Sequence, residues 1–210
     1  MGDPHDVTRQ IWHNYQQRVT QPADRHCCDL LVAEGFFTGT EAIVDVAAGP
    51  SPHVAWNLYS RLDEREVFVT DWRADWLSIH KELYWTMKAE EPSLSRLREY
   101  WLLCDVQREQ YVLTGKAAIV HGVLPRLRSN DRLVLPFTLE DMTATLAGIL
   151  DAQPARLALF MARDHPEYPE SPSRVLPALD RLGVRYEYHE NVASADFHPQ
   201  PGGYLVLLTP

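Results

Sequence analysis

Ala42-Ile43-Val44-Asp45-Val46-Ala47-Ala48-Gly49-Pro50-Ser51-Pro52 decides how the rest of the chain is read. Apolar residues around a single acid make a short run of buried-strand type, and the small residues after it make a tight turn. A helical stretch, His53 to Leu62, comes next. A second strand, Glu66-Val67-Phe68-Val69-Thr70-Asp71, follows it and again ends on an acid. Strand, small-residue turn, helix, strand and terminal acid is the pattern of a nucleotide-binding half of an α/β sheet. Small side chains let the backbone approach a ligand closely. The start of the helix offers free N–H groups and the positive end of its dipole. Asp71, arriving at the carboxyl end of its strand, is placed to accept both hydroxyls of a ribose.

Details of the turn separate one ligand from another. A dinucleotide site asks for G-x-G-x-x-G, with the pyrophosphate resting on the helix start. Here only Gly49 is glycine, and Pro50 and Pro52 lack an N–H to donate. The stretch resembles instead the first motif of the class I S-adenosylmethionine-dependent methyltransferases, an acid and a small residue followed by glycines. Asp45, Ala47, Ala48 and Gly49 stand at those positions, with alanines where glycines are more usual. Asp71 matches that family's acid at the end of the second strand, which binds the ribose. The resemblance implies a three-layer α/β fold of the Rossmann-like methyltransferase kind. Its seven-stranded, mostly parallel sheet would end on an antiparallel strand, and a helical arm would precede it. The resemblance also implies S-adenosylmethionine as cofactor, with Asp45, Ala47, Ala48, Gly49 and Asp71 around it and the Trp72 indole against the adenine.

Bulk properties narrow the partners. The chain has 210 residues, of which 45% are hydrophobic, enough for one domain with a sizeable core. Its formal net charge is −9, and no basic run stands against it; the densest cluster, Arg126 to Arg132, is interrupted by Leu127 and Ser129-Asn130-Asp131. Nucleic acid is disfavoured as the main partner, and a small-molecule acceptor is favoured. The N-terminus is polar and acidic, unlike a secretory signal, and no apolar stretch reaches membrane-spanning length. A cytoplasmic protein is expected, and a homodimer is compatible with the sequence. Cys27, Cys28 and Cys104 have no C-x-x-C spacing and read as small apolar residues. No His and carboxylate cluster asks for a metal.

Along the chain, residues 1–39 read as an N-terminal helical arm and 40–210 as the α/β domain. In the arm, Val7, Ile11, Tyr15 and Val19 form one stripe, and a second helix runs from about Ala23 to Glu34 and ends at Gly35. The resemblance implies that the arm folds over the cofactor as a lid or helps form the acceptor pocket, with Tyr15 and Arg18 as candidates to touch the cofactor's carboxylate; the plainer reading makes Tyr15 a packing aromatic and Arg18 a solvated charge. After Trp72, the residues Trp76, Ile79, Leu83 and Met87 lie at helical spacing and read as a buried face. From Leu94 to about Leu113 the pattern favours another helix, with a strand over residues 100–105 as the alternative. Ala117 to His121 then reads as the third strand, and the resemblance implies that His121, Gly122 and Val123, at its end, border the adenine. Arg132 to Thr138 reads as the fourth strand, lying next to the first, and the resemblance implies that Pro136, Phe137 and Thr138 border the sulfonium.

A helix from Leu139 to about Ala152, capped by Thr138 or its neighbours, leads to a fifth strand from Arg156 to Ala162. The loop beyond it, Arg163 to Pro172, carries His165 and Tyr168. With His121 these are the candidate catalytic groups, and His165 suits proton transfer near neutral pH. A solvated, proline-stiffened loop is the equally weighted alternative. A short helix, Ser173 to Gly183, precedes the last two strands, Val184 to His189 and Gly203 to Thr209. The segment between these strands is too short for a crossover helix, so they must run antiparallel. Methyl transfer from S-adenosylmethionine to a small molecule is the expected activity. Rivals are aminocarboxypropyl transfer or cyclisation on the same cofactor, a binding module without catalysis, and, less favoured, a nicotinamide-dependent reductase.

Overall fold

Strand β1, Ala42–Val46, sits inside the fold, with Ile43, Val44 and Val46 wholly removed from solvent. In this computed structural model the described residues are 22–48, 58, 62, 65–90, 97–104, 109–121, 138–161, 171–190 and 204–209. The other strands are β2 (Arg65–Asp71), β3 (Leu97–Leu103), β4 (Ala117–His121), β5 (Arg156–Met161), β6 (Tyr186–His189) and β7 (Tyr204–Leu208). They form one seven-stranded sheet in the order β3-β2-β1-β4-β5-β7-β6. Neighbours from β3 to β5 pair in parallel, whereas β7 runs antiparallel to both β5 and β6. The expected seven-stranded sheet with an antiparallel last strand is therefore the observed one.

Among the described residues four α-helices flank the sheet: α1 (Pro22–Ala33), α2 (Ala74–Glu90), α3 (Leu139–Asp151) and α4 (Pro172–Leu182), with a short 3-10 helix at Gln110–Leu113. On one face, Cys27, Cys28 and Leu31 of α1 join Phe36, Phe37 and Leu58 against Ile43, Ile119, Phe160 and Leu205. The second half of the predicted arm is thus built into the core layer. Farther along that face, Leu77 and Tyr84 of α2 pack on Val67 and Val69. The opposite face is closed by Met142, Leu146 and Ile149 of α3, Val175 and Leu179 of α4, and Val112 and Leu113. Each fully buried leucine here contributes about 1.5–3 kcal/mol relative to exposure.

Local sequence sets the helix ends. Thr138 and Asp141 form a capping box: Asp141 N–H donates to Thr138 Oγ1 at 3.2 Å, and Thr138 N–H donates to Asp141 Oδ2 at 3.0 Å. Helix α4 has proline in its first turn and stops at Gly183, whose φ of 66° needs no side-chain accommodation.

Three expectations are corrected. Residues 97–103 are a strand and not part of a helix. The spacing of Leu94, Leu97, Trp101 and Cys104 imitates a helical stripe, yet Glu99 is buried while its neighbours Arg98 and Tyr100 are exposed, the alternation of a sheet edge. Tyr100 also stacks on its cross-strand partner Phe68, with ring centroids 5.2 Å apart. Second, the strand beside β1 on its far side is 117–121, the fourth in the chain, and not 132–138. Ala117, Ala118, Ile119 and Val120 are buried on both faces, as a central parallel strand requires. Residues 132–137 lie outside the described residues. Third, the buried side of α2 is Leu77, His80, Leu83 and Tyr84, while Trp76 and Ile79 are only half-buried.

Candidate functional site

The carboxyl ends of β1, β2 and β4 meet where the sheet changes winding direction, the place where open α/β sheets bind ligands. There the chain leaves β1 through Ala47, whose φ of 52° is left-handed. That is the conformation for which glycine is usual, because an L side chain is strained in it. Ala47 packs against the α3 side of the core and Ala48 against the α2 side, so the turn straddles the sheet.

Asp71 closes β2 and is 2% exposed. Two backbone groups fix it: Arg73 N–H donates to its Oδ1 at 2.9 Å, and Cys104 N–H donates to its carbonyl at 2.9 Å. The Arg73 side chain is drawn away, lying 4.2 Å over the Trp76 ring and paired with Asp75. That guanidinium holds the Asp75 carboxyl below its usual range. Beside this acid two apolar side chains stand in solvent, Trp72 at 54% and Leu103, the register partner of Asp71, at 60%. A buried carboxylate flanked by exposed apolar groups suits a ribose joined to a flat base.

By sequence the chain matches no family model and no curated protein. By structure it is similar to the plantazolicin methyltransferase BpumL in complex with a triazolic desmethylPZN analog and SAH. That likeness has a TM-score of 0.62 at 11% identity and covers 99% of this chain and 92% of that one. The methyltransferase domain of bacterial CtHen1-CN aligns with a TM-score of 0.58 at 11% identity, over 90% of this chain and 100% of that one. A human methyltransferase 10 domain containing protein aligns with a TM-score of 0.56 at 10% identity, over 90% and 82%. The chain has the Rossmann-like fold of the class I methyltransferases. At these identities the likeness carries the fold alone.

Within this methyltransferase fold, β1 and β2 bring Asp45, Ala47, Ala48, Asp71 and Trp72 to one edge of the sheet. His121 ends β4, opposite Phe160, and its side chain lies outside the described residues. Gly49, Gly122, Val123, Pro136, Phe137, Tyr15, His165 and Tyr168 also lie outside them. Gly122 and Val123 follow β4, not the third strand; the residue that follows β3 is Cys104.

Two groups of residues were missed by the sequence reading. Thr70 is fully buried and bonded to the turn; a hydroxyl directly after the apolar run Val67-Phe68-Val69 is the available signal. Behind Asp45 lies a buried pair, His80 of α2 and Glu99 of β3, with Nε2 and Oε2 3.6 Å apart and neither side chain exposed. Burial pushes the Glu99 carboxyl well above its usual range, the Asp45 charge adds to the rise, and the Trp101 indole partly opposes it. Asp45 itself is 3% exposed.

Proposed function

We propose that this chain binds S-adenosylmethionine at the carboxyl edge of β1 and β2 and transfers its methyl group to a small-molecule acceptor. The observation that carries this reading is the left-handed turn at Ala47 beside the buried Asp71 and the exposed Trp72. Asp71 would hold the ribose hydroxyls, Trp72 and Leu103 would border the adenine, and the Ala47–Ala48 backbone, with Asp45, would lie along the methionine part. The left-handed geometry of Ala47, reached without glycine, supports this fit. The cofactor supplies an activated methyl on a sulfonium, and the protein's share is alignment and exclusion of water. His165, Tyr168 and His121 are the proposed groups for a proton that the acceptor must lose. The structural relative BpumL is a methyltransferase seen with SAH, which supports the cofactor assignment.

Calorimetric titration with S-adenosylmethionine and S-adenosylhomocysteine tests the reading. Micromolar binding is expected. Asp71→Ala should weaken it at least about a hundredfold, since each hydrogen bond to a charged group is worth about 1.5–3 kcal/mol. Asp71→Asn, which preserves shape, controls for folding. No binding to the intact protein would overturn the proposal. Release of methylthioadenosine in place of S-adenosylhomocysteine on turnover would reassign the transferred group.

A further inference from the structure

Thr70 reaches the turn through three hydrogen bonds. Its hydroxyl donates to the Asp45 carbonyl at 3.0 Å and accepts from Ala47 N–H at 3.3 Å. Its carbonyl accepts from Ala48 N–H at 2.9 Å. Thr70 is wholly buried, so water does not compete at its hydroxyl. The turn it grips is the one in which an alanine occupies the left-handed region, with φ of 52°. Alanine there pulls the backbone toward right-handed or extended geometry, and a strained residue persists only where its surroundings over-determine it.

We propose that Thr70 is a positioning residue that locks the Ala47–Ala48 turn in its left-handed form and thereby sets the backbone against which the cofactor lies. The cofactor part rests on the function proposed above; the bracing part does not. Thr70 and Ala47 act as one unit: the hydroxyl is needed because the strained residue has a side chain. With glycine at 47 the turn would hold without it.

The test is a cycle of Thr70→Val, Thr70→Ser, Ala47→Gly and the double variant A47G/T70V. Amide hydrogen exchange at Ala47 and Ala48 is read in the ligand-free protein, and S-adenosylhomocysteine affinity is read separately. Thr70→Val should speed exchange at those two amides about tenfold or more while Ile119 and Val120 of β4 stay as in the wild type, and should weaken binding about tenfold. Thr70→Ser, which keeps the hydroxyl, should restore both to within about threefold. In the Ala47→Gly background, Thr70→Val should cost less than about threefold. Unchanged exchange in Thr70→Val, or equal effects of Val and Ser, overturns the brace. If Thr70→Val does not fold, the double variant decides: a folded protein with slow exchange at the turn supports the pairing, and an unfolded one overturns it. If the wild-type protein binds no cofactor, the functional reading fails, and the exchange data still decide the brace.

Discussion

Replacing Glu99 by glutamine should change how stability depends on pH. The Glu99 side chain has no exposure, and its carboxyl sits well above the ordinary range because of burial and the charge of Asp45. In the unfolded chain a glutamate ionises near pH 4.3. Between that value and the raised folded one, the folded protein keeps a proton that the unfolded chain has lost. The contribution of Glu99 is thus fully present below about pH 4.3 and is lost as pH rises toward the folded value, at up to about 1.4 kcal/mol per unit. Glutamine does not titrate, so Glu99→Gln removes this slope. In a domain of this size the difference amounts to about 3–6 °C in Tm per pH unit. Melting or urea curves of both proteins from pH 4 to pH 8 read it directly. Every other carboxylate is common to the two proteins and cancels, and any fixed cost of the buried amide shifts the curves without tilting them. The variant should therefore gain on the wild type as pH rises. Parallel curves would refute the reasoning. A variant that loses most near neutrality would also refute it, since that is the signature of an ionised Glu99 paired with a protonated His80 across their 3.6 Å separation.

Further outcomes follow from exposure and capping. Trp72 is 54% exposed, so Trp72→Ala should leave Tm nearly unchanged. It should weaken S-adenosylhomocysteine by about 1 kcal/mol or more, at least about fivefold, if the indole stacks on the base; unchanged affinity in calorimetry would place the adenine elsewhere. Thr138→Ala opens the capping box of α3 and should lower stability by about 1 kcal/mol, seen as a lower urea midpoint at constant m-value. Adding Asp141→Ala should then cost less than its single effect, because both side chains serve one cap.

How much of this could be read in the sequence depends on where each segment's burial comes from. β1, β4, β5 and β7 are buried on both faces, so they appear as short apolar runs. The antiparallel end of the sheet followed from chain length alone. β3 is a sheet edge with an acidic residue turned inward, and its apolar residues fall by chance at helical spacing. Losing that strand displaced the count and gave the place beside β1 to residues 132–138. The same slip moved Gly122 and Val123 from the fourth strand's end to the third's. Asp45 and Asp71 are legible as candidates because acids at or near the ends of buried strands are rare. Thr70 and the His80–Glu99 pair were not, since a single polar residue shows its partners only when distant elements are brought together.

The alanines in the first turn bear on what such a motif requires. Left-handed backbone costs an L-residue about 1–2 kcal/mol. Against this, the partly buried Ala47 packs its methyl on the core, a contribution below about 0.8 kcal/mol. An alanine also costs less conformational entropy on folding than a glycine, by about 0.4–1 kcal/mol. These terms offset part of that cost, and the Thr70 hydrogen bonds hold the turn against the rest. Glycine is thus one solution of the turn and not its condition. The condition is a residue small enough for the backbone to stay close to a ligand, held at positive φ. Ala47 meets it through its packing and its neighbour on β2, which is why a sequence with a single glycine in the motif can still form the edge at which this fold binds its ligands.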